Sequence, residues 1–169
     1  MTAALALAAA CFWQVPTDLP LPETHAVYLR ADVDLAPGEE LRLDGAFPHA
    51  RQLGLNVHAR ASNATLASVP DTVLPALPGH TNPFLPGARR DRRARGWQLV
   101  IAPGAPAGLV RGRLGLGLPE DAPFAGRLLL RIYLPDSAHP GEGDSAHPGE
   151  GVAMPRASRR TADGRWEPV

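Results

Sequence analysis

The chain has 169 residues, 17 of them basic and 17 acidic, so its formal charge at neutral pH is zero. That length suits one domain with a real core, and the balanced charge argues against a nucleic-acid binder or any other protein steered to polyanions. All 17 basic residues are arginine, which excludes a GxxxxGK[ST] phosphate loop and a Schiff-base lysine. The single cysteine, Cys11, excludes an internal disulfide, CxxC redox chemistry and a cysteine-rich zinc site.

The opening MTAALALAAAC (1–11) is apolar and built of small residues. It reads as the remnant of a secretory or lipoprotein signal, with Ala8-Ala9-Ala10-Cys11 as a degenerate lipobox that lacks the usual leading positive charge. Residues 1–14 are therefore set apart as a truncated signal or anchor, and 15–169 are expected to form the domain. An extracytoplasmic place follows, periplasmic or envelope-associated, with membrane anchoring upstream or through lipidated Cys11. No later stretch approaches the roughly 18 consecutive apolar residues that a membrane span needs.

Alternation dominates from there. In AVYLRADVDL, Val27, Leu29, Ala31, Val33 and Leu35 share one face, and Tyr28, Arg30, Asp32 and Asp34 the other, the period-two mark of a half-buried strand. APGEE (36–40) supplies a turn and LRLDGAF resumes with Leu41, Leu43 and Phe47 inward, so the pair predicts an antiparallel hairpin. Leu53, Leu55 and Val57 repeat the scheme, with Asn56 and His58 outward. WQLVIA (97–102) follows, then RLLLRIYL (127–134) with Leu128, Leu130, Ile132 and Leu134 on one face. Leu114 to Leu118 alternates with glycines and reads as a weaker strand or a loop.

The stretch from 60 to 96 carries no clear strand and reads as a long crossover, the kind of segment that often holds a binding site. The 19 prolines leave no room for long helices. Short strands joined by Pro/Gly turns predict a single all-β domain, an antiparallel, jelly-roll-like β-sandwich with long loops.

After the last strong strand, residues 136–151 read DSAHPGEGDSAHPGEG, one octapeptide written twice. Turn formers and the lack of an apolar anchor predict a loop, and eight residues are too few for a stacking repeat. His139 and His147 fit neither EF-hand nor zinc-finger spacing, and each precedes a proline that cannot offer an amide to copper. The duplication reads as a copying accident, since doubling a loop costs only about 0.6 kcal/mol. No metal and no cofactor is expected.

There is no GxSxG, HExxH, helix-opening GxGxxG or EF-hand loop. Three features remain. GARRDRRARGW (87–97) packs five arginines into seven residues, either a clamp for phosphate or carboxylate groups or a solvated loop. DGAFPHARQLGLNVH (44–58) offers His49 with Asp44 as a proton-transfer pair beside Arg51, against a structural reading in which Pro48 sets a bend and His58 is solvated. In GHTNPFLPG (79–87), Asn82-Pro83 favours an extended turn and Phe84 can plug the crossover into the sandwich. Asn63-Ala64-Thr65 matches the glycosylation pattern but reads as a polar hairpin tip.

In order, the chain carries Gly45, Phe47-Pro48-His49-Ala50-Arg51, Asn82 to Ala88, then Leu129, Arg131, Tyr133, Pro135 and Asp136, with Gly151 to Pro155 and Ala162-Asp163-Gly164 near the end. Across about residues 12–165 this resembles a family of bacterial secreted or membrane-anchored proteins with FPHAR, NPFxPGA and LxRxYxPD motifs, a domain of unknown function. The resemblance implies a β-sandwich, export and no established activity. Departures lie at Gln52, Leu53, Gly54 and His58-Ala59, where the family carries aromatic, Ser and Tyr-Asp residues.

The sequence thus predicts an exported, non-catalytic binding or structural domain. An unknown ligand or protein partner would meet the crossover and the Arg51 end of the strands, with Arg51, His58, Asn82 and Arg131 as candidate binding residues. The competing reading is an enzyme acting on a polar small molecule through His49, Arg51 and Asp44. A cleft joining those three side chains favours the enzyme, and an open rim favours binding.

Overall fold

The computed structural model describes residues 12–18, 26–135, 154–161 and 163–169. The chain is an all-β sandwich. Strands β1 (Ala26–Leu35), β8 (Phe124–Pro135), β3 (Ala50–Ala59) and β4 (Thr65–Pro70) form one sheet in that order. The second sheet runs β10 (Trp166–Pro168), β9 (Arg156–Arg160), β2 (Glu40–Ala46), β5 (Gly96–Ala102), β7 (Arg113–Gly115) and β6 (Gly108–Val110). The octapeptide repeat lies outside the described residues, as do residues 1–11.

Period-two burial sets the two layers facing each other. Leu29, Leu53, Leu55, Val57, Leu128 and Leu130 point in from the first sheet, and Leu41, Leu43, Trp97, Leu99 and Ile101 from the second; all are almost fully buried. Their opposite faces carry the charged residues, as a sandwich with two wet outer surfaces requires.

The pairing of those faces differs from the expectation at several points. β1 and β2 are not a hairpin: β1 pairs with β8, and β2 with β5 and β9. The turn after Leu35, closed by Glu39 N–H to the Ala36 carbonyl (3.0 Å), carries the chain from one sheet to the other. Alternation reports which face of a strand is buried and says nothing of its lateral neighbour. The crossover also contains β4 and a single 3-10 turn, Asp71–Val73. One pair, β5 with β7, is parallel within a sheet otherwise antiparallel among the described strands.

The N-terminal boundary shifts as well. Trp13, inside the segment set apart as a signal remnant, is buried in the core, and its indole N–H donates to the Pro155 carbonyl (2.7 Å). Gln14 exchanges two backbone hydrogen bonds with Arg30, extending the first sheet past β1. Asn63, at φ +56°, sits in the β3–β4 hairpin turn, the polar tip that was expected.

Candidate functional site

The chain leaves β2 in one sheet and enters β3 in the other through Phe47-Pro48-His49. A tight inter-sheet corner exposes backbone carbonyls that neither ladder can satisfy. Arg95 satisfies them. Its side chain is buried, Nε donates to the Phe47 carbonyl (2.9 Å), Nη2 to the Pro48 carbonyl (2.6 Å) and Nη1 to the Arg90 carbonyl (2.7 Å). Nη1 also lies 2.9 Å from His49 Nδ1, and the Phe47 N–H donates back to the Arg95 carbonyl (2.8 Å). A planar fork that places several N–H groups on fixed carbonyls is what guanidinium does and an ammonium does not.

The other motif residues converge on this corner. Gly45 pairs across the sheet with Trp97, whose ring occupies the space where a side chain would begin: a Cβ on Gly45 would lie 2.4 Å from Trp97 Cζ2. Phe47 meets Phe84 edge to face at 5.9 Å, so the FPHAR corner and the NPF loop pack on each other. Asn82 holds that loop from beneath. Its buried amide donates to the carbonyls of Asp71 (2.7 Å) and Leu74 (3.1 Å), and its Oδ1 accepts from the Phe84 N–H (2.9 Å). Phe84 is the loop plug that the sequence suggested, and Asn82 has its polar groups committed to the fold.

Against this corner lies an open cleft of about 870 Å³ lined by His49, Ala50, Arg51, Arg90, Asp91, Arg92, Arg93, Arg95 and Leu134. Arg90 donates to the Ala50 carbonyl (3.0 Å) and stands 5.9 Å from the Phe84 ring, which fixes it at the edge of the cleft. Asp91 is bound by Arg89 through two contacts of 3.1 and 2.6 Å, and that hydrogen bonding holds its carboxyl below the usual range. Its charge is therefore matched from outside the cleft. Arg51 and Arg93 are exposed and have no hydrogen-bond or ion-pair partner among the described residues. The lining is positive although the whole chain is neutral.

Of the residues singled out from the sequence, the cleft joins His49 and Arg51 and leaves out the others. Asp44 faces the outside of the second sheet, where it accepts from Arg42 Nε (2.9 Å) and Gln98 Nε2 (2.7 Å). His58 lies at the far end of β3, about seven residues or roughly 23 Å from Arg51 along an extended strand. It meets Thr65 and the Asn63 carbonyl across the hairpin, at 3.3 and 3.4 Å. Arg131 lies mid-strand on the outer face of the first sheet, with Nη2 on Asn56 Oδ1 (2.6 Å) and its guanidinium 6.0 Å from the Tyr133 ring.

Sequence reasoning missed Arg95 and Leu134. Extending the alternation of β5 back from Trp97 puts Arg95 on the inward face, the one available signal that this member of the arginine run is structural. Leu134 ends a run of inward residues and should be core by the same rule. Instead it is 46% exposed with φ +48° and lines the cleft.

A second, smaller groove of about 440 Å³ crosses the outer face of the second sheet past Glu40, Gln98, Arg113, Arg160 and Trp166. Glu40 meets Arg113 at 2.6 Å and Arg160 at 3.6 Å, and Arg42 stacks on Trp166 at 4.7 Å, while Arg111 on the lining has no hydrogen-bond or ion-pair partner among the described residues. Among the described residues no group of three or more metal-ligating side chains is found, and no helix is long and apolar enough to cross a membrane.

No protein-family model and no curated protein matches the chain. Among solved structures it is similar to the VPA0106 protein from Vibrio parahaemolyticus, with a TM-score of 0.52 and 14% identity. The match covers 83% of this chain and 32% of that one, so the chain spans about a third of its structural neighbour's length. At that identity the likeness establishes the shared β-sandwich fold.

Proposed function

We propose that this is a non-catalytic binding domain that captures a ligand through an anionic group in the cleft beside the FPHAR corner. The observation that carries the reading is the pair of exposed guanidiniums, Arg51 and Arg93, without partners among the described residues, on a rim held in place by buried Arg95. Planar guanidiniums suit carboxylate and phosphate groups, and a fixed rim spares the ligand part of the ordering cost of binding. Asp44, the general-base partner that an enzyme would need beside His49, is engaged by Arg42 and Gln98 outside the cleft, which favours binding over catalysis. In this reading the domain works outside the cytoplasm. The apolar opening before Cys11 and the resemblance to exported β-sandwich proteins support that placement.

Calorimetric titration with inorganic phosphate and with citrate tests the proposal. Binding that weakens as salt rises, and that drops at least roughly tenfold in Arg51→Glu and in Arg93→Glu, is the expected result, since each removes one charged contact and adds a repulsive one. Absence of binding to either anion, or binding indifferent to both substitutions, would overturn it. A steep salt dependence with single-stranded or duplex DNA, absent for the small anions, would make the arginine loop a nucleic-acid surface instead.

A further inference from the structure

We infer, building on that reading, that the cleft is made for an amphiphilic anion, a phosphate or carboxylate carrying an apolar arm, and that Leu134 is the contact for the arm. Leu128, Leu130 and Ile132 point into the core from alternate positions of β8, and Leu134 is next in that series. The backbone at Leu134 takes φ +48°, the left-handed region that a leucine seldom enters, and the side chain leaves the core for the cleft, 46% exposed. The residue before a proline is already confined to extended conformations, and Pro135 follows.

The β3–β8 register pairs Gln52 with Tyr133 and Ala50 with Pro135 and steps over Arg51 and Leu134, so the strand resumes in the same register beyond Leu134. Glycine, asparagine or aspartate would meet the same geometry with less strain and no exposed apolar surface. Backbone outliers that persist against local preference cluster at ligand contacts. Here the outlier sets a leucine beside Ala50 in a cleft whose remaining lining is His49, Asp91 and the arginines. At about 870 Å³ the space also far exceeds an inorganic anion and falls in the range of small organic ligands.

The experiment compares inorganic phosphate with monomeric hexyl phosphate, and acetate with hexanoate, on the full chain by calorimetry. Burying even two or three methylenes should tighten hexyl phosphate over phosphate by at least roughly tenfold. Leu134→Ser is expected to bring hexyl phosphate back to within roughly threefold of phosphate, whereas Arg51→Glu weakens both. Leu134→Gly relieves the left-handed strain, so its melting temperature should match or exceed that of the parent while the alkyl gain is lost; a structural leucine would instead lower it. Equal affinity for phosphate and hexyl phosphate overturns this inference and leaves the anion site standing, as does an alkyl gain that survives both Leu134 substitutions. Failure of every anion to bind removes both. A free alkyl phosphate and a phospholipid headgroup share this chemistry, and co-sedimentation with phosphatidylglycerol vesicles separates them. Pelleting names the bilayer as the source, and hexyl phosphate binding without pelleting names a soluble amphiphile.

Discussion

Replacing Arg95 by methionine keeps most of the side-chain volume and deletes all of its donors. The buried carbonyls of Phe47 and Pro48 would then lack partners, and the part-buried Arg90 carbonyl would turn to water. A buried acceptor left unsatisfied costs about 1–3 kcal/mol, so the two buried ones give about 2–6 kcal/mol. Removing a buried charge returns part of that, because its desolvation no longer opposes folding. The net expectation is about 2–4 kcal/mol. For a chain of this length each kcal/mol moves the melting temperature by about 2–4 °C, giving a fall of roughly 5–15 °C. Urea unfolding followed by tryptophan fluorescence measures the free energy, and a thermal scan the shift. Arg95→Lys retains the charge but not the fork, and should recover less than half of the loss. An Arg95→Met protein within about 0.5 kcal/mol of the parent, with an unchanged urea slope, would show that the inter-sheet corner does not depend on these bonds and would remove the structural basis given to the rim.

Gly45→Ala drives a methyl group to 2.4 Å from the Trp97 ring, which is packed in the core; overpacking of this kind costs about 1–3 kcal/mol and should also alter the near-ultraviolet circular dichroism. Asn82→Ala strips three hydrogen bonds from the base of the loop. It should cost about 2–4 kcal/mol in urea and speed tryptic cleavage at Arg89 to Arg93, which unchanged digestion would contradict. Asp32 faces Arg127 across β1 and β8, and hydrogen bonding from Arg127 holds its carboxyl below the usual range. A lowered carboxyl contributes stability above its unfolded value, about pH 3.9, and loses it as pH falls through the folded value. Asp32→Asn should therefore be less stable at pH 7, by under about 1 kcal/mol because the pair is exposed, and the gap should close below about pH 4. A gap that persists at pH 2.5 would contradict the assignment.

The face of each long strand was legible because side chains alternate wherever the backbone is extended. Leu29, Leu43, Leu55, Leu99 and Leu130 are core for no other reason than position and character. The same rule, carried two residues back from Trp97, reaches Arg95, but an arginine on an inward face looks like an exception until the carbonyls of the corner are known to be there. Leu134 shows the opposite case: the rule holds through Ile132 and stops where a single backbone angle changes sign. His49 and Arg51 could be placed together because two residues of extended chain cannot separate far. Asp44 could not, since the sheet switch at Phe47 turns its face away from theirs.

Composition and periodicity by themselves determined that this chain is β-structured, has an interior made by two layers and does without lysine, an internal disulfide or, among the described residues, a long helix. These are properties of single residues and their spacing, and each can be read along the chain. Which strands lie side by side, that β1 and β2 part into different sheets, and that arginines at 51, 90, 92 and 93 gather around one cleft were decided only by the tertiary structure. Pairing and clustering depend on which distant segments compete best for the same edge and the same space, and that competition leaves no local period in the sequence.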